Sequence, residues 1–122
     1  DLIQRYILAG SSLTADFHEE MERAFNKYCS VLDNVLTANT YLVGAQLSLA
    51  DIVMVCEFAL MSNESRMNGE LEKIERERIL PQLKNYNSLY SHIESLLKLP
   101  EFKKDLAPYA GFMGFKPMKA IK

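Results

Sequence analysis

Ser48 and Asp51 stand three residues apart in Leu47-Ser48-Leu49-Ala50-Asp51-Ile52, a hydroxyl and a carboxylate at fixed spacing. Such a pair resembles a site, but it is also the pattern of a helix start. The Ser48 hydroxyl can accept the Asp51 N–H while the Asp51 carboxylate accepts the Ser48 N–H, a capping box with Asp in place of the usual Glu. Leu47 and Ile52 occupy the flanking positions of a hydrophobic staple. The capping reading is adopted, and loss of Asp51 is expected to cost about 1 kcal/mol. The other reactive side chains are scattered. Cys29 and Cys56 fall in apolar, helical contexts and read as reduced core residues rather than a disulfide or a nucleophile. His18 and His92 have no Cys or carboxylate at ligand spacing, so no metal site is expected and each is read as exposed or merely satisfied. A thiol–imidazole pair of Cys29 and His92 would lack a visible Asp or Asn partner. No catalytic residue is assigned.

The elements that position these residues are helical. Ile52-Val53-Met54-Val55-Cys56-Glu57-Phe58-Ala59-Leu60 is apolar nearly all round and reads as the central buried helix, starting at Ser48. Phe17, Met21, Ala24, Phe25, Tyr28, Leu32, Val35 and Leu36 recur at helical steps, giving a long amphipathic helix capped by Thr14 or Asp16 and ended at Asn39 in a left-handed conformation. Asp1 to Leu8 reads as the tail of a helix broken at Gly10. Glu70 to Arg78 reads as a polar, exposed helix supported by Glu72/Arg76 and Glu75/Arg78 pairs. Pro81 is placed to open a helix carrying Leu83, Tyr86, Tyr90, Ile93 and Leu97, and Pro100 to open a short one ending at Leu106 before Pro108. No alternating pattern appears, so the class is all-α, a bundle of about five helices.

The 122 residues fit one domain with its own core, 48% hydrophobic and 25% charged. A net charge of −2 argues against a nucleic-acid-binding surface. Six lysines from Lys98 onward set the C-terminal segment at +4 and the remainder at −6, which reads as a solvated basic tail. No apolar run reaches membrane-spanning length, and Asp1 to Arg5 is not a signal peptide. A cytoplasmic location is expected.

The order of a long amphipathic helix, Tyr41-Leu42-Val43-Gly44, then Leu47-Ser48-Leu49-Ala50-Asp51-Ile52 on an apolar helix resembles the C-terminal helical domain of the glutathione S-transferase superfamily. Pro81-Gln82-Leu83 with Tyr86, and Leu99-Pro100-Glu101-Phe102, are similar to its closing helices. The likeness runs from about Asp16 to Leu106; it departs at Ser62–Leu80, which is longer and more charged than usual, and at Tyr86, where many members have Trp. The resemblance implies a single domain over 1–122, a fragment without its N-terminal thioredoxin-like domain, inactive alone and binding no cofactor alone. Glutathione would be the co-substrate of the whole protein. This half would supply the apolar second-substrate pocket, with Tyr6, Phe112, Met113 and Phe115 as lining candidates, and much of a homodimer surface. The alternative is a non-catalytic assembly module of the translation machinery, of the elongation factor 1 gamma or synthetase-complex type, with the charged insert and basic tail as protein-binding surfaces.

Overall fold

Helices account for all the regular structure of the described residues: α1 spans Leu2–Ile7, α2 Ala15–Ala38, α3 Leu49–Met61, α4 Asn68–Lys73, α5 Asn87–Leu97 and α6 Pro100–Ala110. Short 3-10 turns cover Gly10–Ser12, Ser62–Arg66 and Leu80–Asn85, and no strand occurs among the described residues. The computed structural model describes residues 1–111 and 113–115.

α2 is the long helix its apolar stripe predicts. Thr14, rather than Asp16, caps it by accepting the Phe17 N–H at 3.1 Å. Met21, Phe25, Cys29 and Leu36 turn inward and are buried. The helix ends at Asn39 without the expected left-handed turn. Asn39 is extended, with φ −134 and ψ 147, and its side-chain amide donates to the Val35 carbonyl at 3.0 Å. The Asn39 N–H donates to the same carbonyl at 3.1 Å, so the amide adds a second bond to the last helical acceptor.

α3 crosses the middle of the molecule with two unlike faces. Asp51, Met54, Val55, Phe58, Ala59 and Met61 are buried, with Phe25 and Phe58 meeting edge to face at 6.0 Å. The opposite face is apolar but open: Leu49 is 74% exposed, Val53 46% and Ile52 38%. Within the described residues this helix is therefore buried on one side only, not all round.

The connection from α3 to α5 differs most from expectation. α4 stops at Lys73 because Glu75 takes the left-handed conformation, φ 56. The Arg76 N–H then donates to Leu71 O and the Glu75 N–H to Glu72 O, the two bonds of a Schellman ending with Glu where Gly is usual. The turn breaks the helical spacing on which the Glu72/Arg76 and Glu75/Arg78 pairs depended. Arg76 instead pairs with Glu19 on α2 at 3.0 Å, and Arg78 donates to Asn68 and to Ser65 O. The helix expected from Pro81 is also split. Leu80–Asn85 is a 3-10 turn, Tyr86 breaks it with ψ 84, and α5 begins at Asn87. The Tyr86 hydroxyl donates to Asn26 Oδ1 at 2.6 Å, holding the break against α2.

α5 has no capping side chain of its own; the Leu89 N–H donates to Asp33 Oδ1 on α2 at 2.9 Å. α6 runs past Leu106 and contains Pro108, whose missing donor faces the exposed Lys104 turn where water can serve the carbonyl. The segment after it closes at Gly114, φ 92, where an added Cβ would meet Lys84 Cε at 3.0 Å. Phe115 then stacks on Tyr90 of α5 at 4.4 Å.

Candidate functional site

The strongest polar cluster grows from the Ser48–Asp51 box. Asp51 Oδ2 accepts the Ser48 N–H at 3.0 Å and the Ser48 hydroxyl at 3.0 Å; Oδ1 accepts the Leu42 N–H at 3.2 Å and His92 Nε2 at 2.8 Å. The capping box is present. Asp51 is 0% exposed and His92 9%. His92 is thus a buried residue with a carboxylate partner, not an exposed one, and the partner lies on another helix where sequence spacing gives no signal. The imidazole also meets the edge of Tyr41 at 5.7 Å. Burial acts to raise the Asp51 pKa, but the bonds from Ser48 N–H, His92, Leu42 N–H and the Ser48 hydroxyl outweigh it and hold the carboxyl below its ordinary value.

Ser, His and Asp are the residue types of an acyl-transfer triad, but here the order is wrong for that chemistry. A triad places the imidazole between hydroxyl and carboxylate so that it can take the proton. Here the carboxylate is in the middle and the serine donates to it, so no imidazole faces the hydroxyl. The cluster joins the Tyr41–Ser48 loop, the start of α3 and the middle of α5. The staple residues Leu47 and Ile52 lie outside it, 39% and 38% exposed.

A second buried carboxylate lies in the connection that reads as charged. Glu64, 1% exposed, accepts the Tyr6 hydroxyl at 2.5 Å, the Ile79 N–H at 2.7 Å and the Leu80 N–H at 2.9 Å. It ties α1 to the start of the 3-10 turn before α5. Burial, and then the Glu64 charge, push the Tyr6 phenol well above its ordinary range, so it serves as a donor and not as a proton source. A buried Glu is rare without such partners; neither periodicity nor motif marks it.

Of the pocket-lining candidates, Tyr6, Met113 and Phe115 are 0%, 1% and 7% exposed and belong to the core. Phe112 lies outside the described residues. Burial, followed by the nearby Asp33 charge, pushes the Cys29 thiol up to about 12, which removes it as a nucleophile at neutral pH. Cys56 is exposed on the open face of α3, which departs from the core reading. His18 is buried and donates from Nε2 to Glu77 O at 2.8 Å. No group of His, Cys, Asp and Glu able to hold a metal occurs among the described residues.

The clefts among the described residues include four with distinct linings. One of about 370 Å³ separates the end of α1 from Leu60 to Glu70, and one of about 410 Å³ lies beside His92 and three serines of α5. A third, of about 540 Å³, holds the mixed charges around Arg76 and Glu22. The fourth, of about 150 Å³ between α1, α2 and α3, is almost wholly apolar.

Fold and polar cluster together define a helical domain built around a capped central helix. Residues 14–100 match the family model of the glutathione S-transferase C-terminal domain, and the chain belongs to that family. The matched span contains Ser48, Asp51 and His92, and runs from the cap of α2 to the first residue of α6. Comparisons with curated proteins and with solved structures return no match. No helix among the described residues is long and apolar enough to cross a membrane.

Proposed function

We propose that this chain is the helical half of a glutathione transferase-like protein, acting when covered by a thioredoxin-like domain that holds glutathione. The observation that carries the reading is the open apolar stripe on α3. Leu49, Ile52, Val53 and Cys56 follow one another at helical steps, and exposed Leu47 and Val43 extend the patch into the loop. A continuous apolar face of this kind marks a surface that another protein element covers. Burying each such Leu, Ile or Val contributes about 1.5–3 kcal/mol, enough for a few of them to hold two domains together.

In this reading the covered face supplies the apolar wall for an electrophile, and other helical surface serves a homodimer. The glutathione thiolate, held by the other domain, attacks an electrophilic carbon; a carbon–sulfur bond forms and the leaving group departs with its electron pair. The test uses the protein expressed from its complete reading frame. Retention on a glutathione matrix and conjugation of a chloronitrobenzene, with chloride released, are the expected results, while this chain alone does neither. Absence of both activities from the complete protein sinks the reading. That outcome supports the second one, a non-catalytic assembly module of the translation machinery. Its supporting observation is the solvent-facing Glu72, Lys73, Glu75 and Glu77, a charged surface beside the body of the domain.

A further inference from the structure

The α1–α2–α3 cleft is lined by Leu2, Ile3, Met21, Phe25, Phe58 and Met61, with Ala24 and Tyr28 on its α2 side. One carboxylate, Glu57, completes the lining. It is half-buried, one residue before the buried Phe58, and shares the cleft with Tyr28. A carboxylate against an apolar wall loses hydration and is stabilised by a cation. No Lys or Arg pairs with it among the described residues: the ion pairs there are Arg76–Glu19 and His92–Asp51. Arg5, on the adjoining α1, lies over the Phe17 ring at 5.3 Å instead.

We propose that this cleft binds a small ammonium ion carrying one aromatic ring, the ring against Leu2, Ile3, Ala24 and Tyr28 and the ammonium on Glu57. Size, lining and charge each point to that class. The volume of about 150 Å³ is that of a cavity which accepts a single benzene-sized group. Leu2, Ile3, Ala24 and Tyr28 are half-buried and leave apolar surface open to a ring, over a buried floor of Met21, Phe25, Phe58 and Met61. An anion is repelled by Glu57, and a neutral ring gains nothing from it. A second cation–π contribution is available from Tyr28. The site is built from this chain alone and does not depend on the conjugation reading, so failure to bind glutathione leaves it standing.

Titration calorimetry of the complete chain at neutral pH, with benzylammonium and benzyl alcohol as probes, tests it. Benzylammonium is expected to bind with Kd on the order of 1 mM. Benzyl alcohol, the same shape without the charge, is expected to bind about tenfold more weakly. Glu57→Gln should bring the two probes together by weakening only the ammonium, and Ala24→Met, compatible with the α2 helix, should fill the cleft and abolish both. Circular dichroism checks that each variant folds, and the wild-type comparison of the two probes stands even if a variant does not. Equal affinities in the wild-type chain, no heat from either probe, or a preference that survives Glu57→Gln overturns the proposal.

Discussion

Replacing Asp51 by Ala removes more than a helix cap. A cap alone is worth about 1 kcal/mol. The carboxylate also accepts the Leu42 N–H and His92 Nε2, and hydrogen bonds to a charged group contribute about 1.5–3 kcal/mol each. These contributions share one carboxylate and overlap, so the full sum is not expected. A loss of about 3–4 kcal/mol is, from the cap plus the two tertiary bonds and the unpartnered groups left behind. For a domain of this size that lowers Tm by roughly 10–15 °C. Urea denaturation followed by circular dichroism at neutral pH measures it, with an unchanged m-value confirming that only stability moved. Ser48→Ala is the control, expected to cost about 1 kcal/mol because it leaves Leu42 and His92 bonded. Equal losses in the two variants, near 1 kcal/mol, would refute the reasoning, since Asp51 would then be a cap and nothing else.

Three further outcomes follow from the same geometry. The Asp51 carboxyl has a folded pKa below its unfolded value of about 3.9, so its contribution is full above that pH and fades as pH falls through the folded pKa. The stability gap between the wild-type chain and Asp51→Ala is therefore expected to stay level down to about pH 5 and narrow below about pH 4, read by denaturation at each pH; a gap that widens on acidification contradicts the sign. Glu64→Gln sets an amide donor against the Ile79 and Leu80 N–H groups and is expected to cost about 2–3 kcal/mol in the same assay. Glu75→Gly relieves a left-handed non-glycine residue and is expected to stabilise by about 1 kcal/mol, raising Tm; a lower Tm would mean that the Schellman ending is not formed.

The local chemistry was legible in the sequence, and its long-range partners were not. Thr14, the Ser48–Asp51 box and the Pro100 start act within a few residues, so side-chain type and spacing suffice to find them. The apolar stripe of α2 likewise reports its own buried face. His92 and Asp51, Glu64 and Tyr6, Asp33 and Leu89 meet only when helices pack, and nothing in their neighbours announces it. The polar look of Ser62–Leu80 misled for the same reason. The charges of Glu70 to Arg78 read as solvated pairs along one helix, whereas Arg76 reaches α2, and Glu64 before them turns inward. The open face of α3 is not legible because an all-apolar helix looks alike whether its neighbours are present or not. Composition records what a helix can bury; which face meets packing within the described residues is set by topology.

Asp33 sits near the end of α2 yet completes the first turn of α5, which has no cap of its own. A helix started by a distant carboxylate gains little from forming early, because its first turn stays unsatisfied until the two helices dock. Formation of α5 is therefore coupled to the packing of α2 rather than to its own propensity. In native-state hydrogen exchange the Leu89 amide should open together with the α2 amides around Asp33, as one cooperative unit. α5 cannot fray independently at that end, and Phe115, stacked on Tyr90, is released in the same event.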